Sequence, residues 1–391
     1  MKRILLIVAG IVGLLVVAAM VVPFLVPKGV YKAQIEKAAT GALQRDVTLT
    51  GDVKISVFPR IAASVGGVTV ANPEGFDRPN MIEAGQLRGS VKWLPLLSRR
   101  VDVQEISFVD ANVDLHKLAD GTSNWEFGTN AEPDADSGES EGGFDAGIAS
   151  ARLQNAKLTY RDDASGTSYE LNELNMQASL QALDKPLDMD ASGLFQGESF
   201  DVVIRLDSPD AMTTGTPANA KFTLESSLGG ASYEGSVTLG EAVSLSGAFT
   251  ATSEALGKLV AFTGTDLPMD LSRLGKVDAR GTVSGSLDAL KIDIESFSQS
   301  SDLAKTDFTG SILLSDSPTI QGTLGLVAPN VFELAKFGGV ELPETAAPLG
   351  AANIKAALSG SLTAPEMVFE TLTLKGALID ANYTGGVKVA E

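Results

Sequence analysis

The segment SYEGSVTL at Ser232–Leu239 returns as DFTGSILL at Asp307–Leu314 and as NYTGGVKV at Asn382–Val389, 75 residues further on each time. Other pieces keep the same offset. LSGAFTATSEALGKLVAFTG from Leu245 matches IQGTLGLVAPNVFELAKFGG from Ile320, TVSGSL from Thr282 matches ALSGSL from Ala357, and LKIDIESF from Leu290 matches PEMVFETL from Pro365. Each unit reads as several short strands plus one short helix. The helix lies in SEALGKLVAFTG, with Ser253 as N-cap, and again in PNVFELAKFGG. A unit this small cannot bury its own apolar face and must stack on its neighbours. A weaker echo has an offset of 45: ISFVDANVDL from Ile106 resembles ARLQNAKLTY from Ala151, and the GTS triplets at Gly121 and Gly166 keep the spacing.

Most of the body alternates with period two. VTLTGDVKISVF places Val47, Leu49, Gly51, Val53, Ile55 and Val57 on one face, and VDVQEISF and VDANVDL repeat the habit. Such strands have one apolar and one polar side and build antiparallel sheets packed on one side only. Turn signals interrupt them at Asn72-Pro73-Glu74-Gly75, Asp120-Gly121, Ser165-Gly166 and Gly229-Gly230. In the 75-residue units the apolar parity is constant: Tyr233, Val237, Leu239; Phe308, Ile312, Leu314; Tyr383, Val387, Val389. A closed barrel or sandwich would bury this face, whereas an extended sheet curling along its length would leave an apolar groove. The periodicity alone fits both.

Ahead of the strands, Ile4–Val26 is an uncharged apolar run, preceded by Lys2 and Arg3. About 20 such residues span a membrane, and a cleaved signal peptide has a shorter apolar core. The run therefore reads as a retained transmembrane anchor. Lys28, Lys32 and Lys37 follow it, so charge bias is nearly balanced. The large domain follows the anchor, which favours a cytoplasmic N-terminus. The expected organisation is a stub at 1–3, the anchor at 4–26, a β module at 28–128 and an acidic flexible linker at 129–146. Repeats at 147–391 complete it, clearest from 220 on. The module is led by a helix with Tyr31, Ile35, Ala38, Ala39 and Ala42 at helical spacing. The expected fold is mainly β: one transmembrane helix, then an extended, curled antiparallel sheet with a few short amphipathic helices.

The chemistry available is narrow. The net charge of −19 opposes nucleic-acid binding, which needs a basic face. There are no cysteines and one histidine, His116, so a His-based triad or multi-His metal site has little to work with. His116 shares a strand face with Asp114, opposite Val113 and Leu115, and reads as a solvated position. The linker piece DADSG begins like a calcium loop but lacks the remaining ligands. Carboxylates are scattered over turns and polar faces, not paired as glycoside hydrolysis requires. No catalytic residue, metal ligand or cofactor is expected. LADGTSNWEF, at Leu118–Phe127, reads as punctuation: Asp120-Gly121 is a turn, and Trp125 a packing residue closing the N-terminal module.

These features together resemble the AsmA family. TGALQRDVTLTGDVKISVFPRIAASVGGVTVANPEGF at Thr40–Phe76 is similar to the family's opening, with Gly51, Phe58-Pro59 and Asn72–Gly75 at the marker positions. Leu94-Pro95-Leu96-Leu97, the strand Val103–Val113 and the closing Asp120–Trp125 extend the likeness through the first 130 or so residues. The resemblance implies a bacterial inner-membrane protein facing the periplasm, similar to bridge-like lipid-transfer proteins built from repeating β-groove units. It also implies a role in phospholipid movement and outer-membrane integrity. Together with the scattered carboxylates, the single histidine and the lack of cysteine, the chain is not expected to be an enzyme. On that reading the groove is lined by Val53, Ile55, Val57, Tyr233, Val237, Leu239, Phe308, Ile312, Leu314, Tyr383, Val387 and Val389. The expected partners are phospholipid, the inner membrane through residues 4–26, and an outer-membrane or periplasmic protein at the C-terminal sheet edge. The alternative is a structural or assembly factor for outer-membrane proteins that carries no lipid.

Overall fold

The computed structural model describes residues 28–56, 60–92, 103–126, 149–240, 242–262, 271–340, 342–362, 364–377 and 379–388. The expected anchor at 4–26, the Leu94–Leu97 element, the acidic linker, Val57 and Val389 lie outside the described residues. Among the described residues no helix is long and apolar enough to cross a membrane. The chain forms two compact units. The first holds the described residues up to Ala182 together with Met189–Gly197. The second holds Leu183–Asp188 and the described residues from Glu198 on.

The first unit opens with helix α1 (Lys28–Leu43), followed by β1 (Val47–Leu49), β2 (Val53–Ser56), β3 (Ile61–Ala71), β4 (Asn80–Val91) and β5 (Val103–Lys117). β6 (Ser150–Asp162), β7 (Thr167–Leu180) and the greater part of β8 (Leu187–Phe195) complete it. β1 and β2 form one broken strand along β3, with Val47 opposite Val70 and Val53 opposite Val65. The break falls at Gly51, where a Cβ would strike the Gly66 backbone. Neighbours then pair in sequence to β7. An apolar row crosses them, Val47–Val70–Ile82–Val113–Leu158–Leu171.

The core of this unit lies under α1. Ile35, Ala39 and Leu43, spaced four apart on one helix face, pack against buried Val47, Leu49, Val53, Val65, Val68 and Val70. Two neighbouring polar side chains at the same spacing complete the closure. Glu36 Oε1 accepts from Leu49 N at 2.8 Å and Thr40 Oγ1 from Val47 N at 3.1 Å. These amides belong to a strand with a partner on one side, and unpaired they would form a template for aggregation.

One joint departs from the antiparallel expectation. β5 and β6 run parallel, with Ile106 opposite Ala151 and Lys117 opposite Asp162. Parallel neighbours need a long connection, and residues 118–149 separate the two strands in the sequence.

In the second unit β9 (Glu198–Leu206), β10 (Ala218–Ser226), β11 (Gly229–Thr238), β12 (Ser244–Ser253), β13 (Lys276–Ser286) and β14 (Ala289–Ser300) are followed by five more strands. These are β15 (Lys305–Leu314), β16 (Thr319–Ala328), β17 (Ala351–Ser361), β18 (Pro365–Lys375) and β19 (Asp380–Lys388). Every consecutive pair from β9 to β19 is antiparallel. Among the described residues three short α-helices interrupt the meander: α2 (Pro209–Thr213) after β9, α3 (Leu256–Phe262) after β12 and α4 (Val331–Phe337) after β16. α3 and α4 are the helices the repeat foretells. Asn330 caps α4, accepting from Phe332 N and Glu333 N. Ser253 lies just ahead of α3, where its Oγ accepts from Ala255 N and donates to Leu228 O at 2.6 Å.

Candidate apolar binding face

The register of the second unit assembles one apolar face across eleven strands. Ile204 on β9 faces Phe222 on β10, which faces Tyr233 on β11, which faces Phe249 on β12. Further on, Ile292 faces Ile312, Phe297 faces Phe308, Leu326 faces Ile354, and Met367 faces Val387. Most of these side chains are half-buried and none of the positions is charged. The opposite side is polar and carries ion pairs: Lys221–Glu234 at 3.5 Å, Lys291–Asp293 at 2.8 Å and Lys355–Glu370 at 2.7 Å. Glu254 and Glu370 hold the ammonium groups of Lys276 and Lys355 charged to higher pH than usual by direct hydrogen bonds.

Bulges keep this face apolar where simple alternation would fail. The register shifts between Ile294 and Phe297 on β14 and, 75 residues on, between Phe369 and Leu372 on β18. Each shift exchanges parity, so that Ile294 and Phe297 share a side with Phe249 and Phe308.

A second repeated device flattens the floor. Gly235 faces Gly247, and Gly310 faces Gly322. Tyr233 and Phe308, two residues before the first glycine of each pair, lay their rings over it. A Cβ on Gly310 would lie 2.9 Å from Phe308 Cζ, and one on Gly235 would lie 2.8 Å from Tyr233 Oη. Tyr383 covers Gly385 in the same way. Tyr233 Oη donates to Ser236 O at 2.7 Å, which pins the ring down, and burial raises the phenol pKa. An aromatic covering a strand glycine restores the packing that the glycine forgoes.

The residues expected to line a groove fall in three settings. Tyr233, Val237, Phe308, Ile312, Tyr383 and Val387 lie on this face, with Phe308 buried and Tyr383 and Val387 exposed. Leu239 and Leu314 sit exposed where β11 and β15 end. Val53 is buried in the core under α1, with Ile55 packed against that core. Phe222, Phe249, Ile294 and Phe297 join the face although the 75-residue parity alone does not name them. Their signal is the cross-strand register.

The polar side of the first unit contains a network around His116. Contrary to the solvated position expected, His116 is 4% exposed. The 72–80 loop and the DGTSNW turn fold over it. Phe76 meets its ring edge-on at 5.5 Å, and Nε2 lies 3.0 Å from Asp163 Oδ2. Arg161 donates to both Asp77 oxygens at 2.9 and 3.0 Å and to Asp114 at 3.2 Å, while Arg78 donates to Asp114 at 2.7 Å. The Arg161 bonds to Asp77 hold its carboxyl down to about 2. Fully buried Asn124 bridges strand and loop: it accepts from His116 N at 2.9 Å and donates to Asp114 O at 2.7 Å and to Asn72 Oδ1 at 2.8 Å. Asp120 accepts from Thr122 N within its own turn. Trp125 packs 5.9 Å from Tyr160, starting a ring ladder that continues through Tyr169 to Phe195. Every carboxylate in this network has a structural partner. Among the described residues no group of three or more His, Cys, Asp or Glu is placed to hold a metal ion.

Comparison with curated proteins and with solved structures returns no match. The family model for the AsmA family matches residues 1–198, spanning the anchor-like run, the first β module and the strands through β8. That match covers just over half of the 391 residues, and the chain belongs to the AsmA family.

Proposed function

We propose that this protein binds phospholipid by its acyl chains along the apolar face and lets the chains slide along it, supporting outer-membrane biogenesis and envelope integrity. The observation that carries the reading is the uninterrupted apolar face of the second unit, half-exposed across eleven strands. Each methylene kept from water is worth about 0.8 kcal/mol. A face dominated by apolar side chains holds an acyl chain without fixing its position, which is what transfer requires. AsmA membership supports an envelope setting. In this reading residues 4–26 anchor the chain in a bacterial inner membrane, the N-terminus is cytoplasmic and the body periplasmic. No step calls for catalysis or a cofactor, and a protein partner meets the edge of β19.

The test is lipid recovered with the full chain. Ile312→Asp, Val237→Asp and Val387→Asp should each reduce the bound phospholipid measured by mass spectrometry, whereas Ser311→Asp, on the opposite side, should leave it unchanged. Equal recovery from all four would exclude the lane as the lipid site. Outer-membrane proteins captured without any lipid would favour an assembly factor.

A further inference from the structure

The two rims of the second unit differ. One rim carries α3 and α4 and most of the unit's buried side chains, including Leu303, Ala328, Phe332 and Ala352, with Ala328 fully buried. The other rim carries the short helix α2, between β9 and β10, and the turns that follow β11, β13, β15 and β17. Each of these turns has an exposed leucine at or beside its start: Leu239, Leu287 at 57% exposure, Leu314, and Leu362 at 44%. The four fall into two pairs 75 residues apart, Leu239 with Leu314 and Leu287 with Leu362. Leu287 and Leu362 are held alike, their amides donating to Val243 O and Pro318 O at 2.9 Å. A buried leucine would be explained by packing. Exposed leucine recurring at equivalent tips places apolar surface at the mouth of the lane.

We infer that phospholipids enter the lane tail-first across the leucine-tipped rim and lie with headgroups at that rim and tails directed toward the rim that carries α3 and α4. The inference rests on the lipid-binding reading and adds to it an entry side and an orientation. Dimensions agree. From Leu314 to Phe308 the strand spans six residues, about 20 Å at 3.4 Å each, and the tails of one leaflet reach roughly 15 Å. A tail entering at the tip therefore ends near the ring-over-glycine floor at mid-strand. The tip turns also carry polar groups, Asp288 and Ser315–Ser317 among them, so a headgroup there remains in contact with water. The same tip, ring and glycines recur every four strands, as suits identical ligands side by side.

Two phosphatidylethanolamine probes test this on the full chain in vesicles, one with a diazirine at the tail end and one with a diazirine on the headgroup. After irradiation, peptide mapping should find tail adducts at mid-strand around Phe308 and Leu324, and headgroup adducts at the tips around Leu239, Leu287–Asp288 and Leu314–Pro318. Headgroup adducts around Glu254, Lys276 or Glu344 would reverse the orientation and overturn the inference while leaving lipid binding intact. Absence of tail adducts from the lane would remove the lipid-binding reading itself. The double variant Leu287→Asp, Leu362→Asp alters only exposed tips. It should lower tail labelling several-fold with an unchanged circular dichroism spectrum, and unchanged labelling would overturn the entry rim.

Discussion

Asn155 Nδ2 donates to Asp110 Oδ1 at 2.6 Å across the parallel joint between β5 and β6. Both residues have left-handed backbone, at φ 51° and 52°, and they are 45 positions apart. They are the bulges of two neighbouring strands, stacked side by side. Asn and Asp tolerate this conformation and a β-branched residue does not. Asp110→Val should therefore cost about 1–3 kcal/mol, and Asp110→Gly less, in chemical denaturation followed by circular dichroism.

Asn124 joins β5, the 72–80 loop and the closing turn through its side-chain amide. Asn124→Ala leaves His116 N and Asp114 O unpaired in a buried setting, at a cost of about 2–4 kcal/mol. A thermal melt that does not move would refute the bridging role.

Glu36 accounts for an otherwise unmet amide on β1. Glu36→Ala should expose Leu49 N–H to exchange and cost about 1–3 kcal/mol. Hydrogen exchange should speed up at Val47–Leu49 before the rest of the sheet is affected.

The Asp77–Arg161 pair predicts an acid-side effect. Asp77 is depressed from 3.8 to about 2, so its contribution is complete above pH ~4 and is lost as pH falls toward 2. Because Asp77 is largely exposed the effect is small. An acid titration of thermal stability should be shallower in Asp77→Asn between those values, and parallel curves would contradict the assignment.

The two sequence echoes had different legibility. The 75-residue repeat announced strands, helices and an apolar parity, and the structure follows it down to bulges at Ile294–Phe297 and Phe369–Leu372. The 45-residue echo carried topology that period-two reasoning could not read. Its offset is the register of a parallel pair, in which Ile106 lies beside Ala151. The burial of His116 was not legible, because the residues that cover it, Phe76, Asn124 and Asp163, come from distant turns. Phe297 escaped simple alternation because a bulge sets its side of the sheet.

The most direct measurement installs a photoreactive amino acid at single positions of the full chain in living cells and identifies what it captures. Placed at Ile312 it should yield a phospholipid adduct, and placed at adjacent Ser311, on the polar side, it should not. Equal lipid capture at both positions, or capture of protein alone at Ile312, would contradict the account.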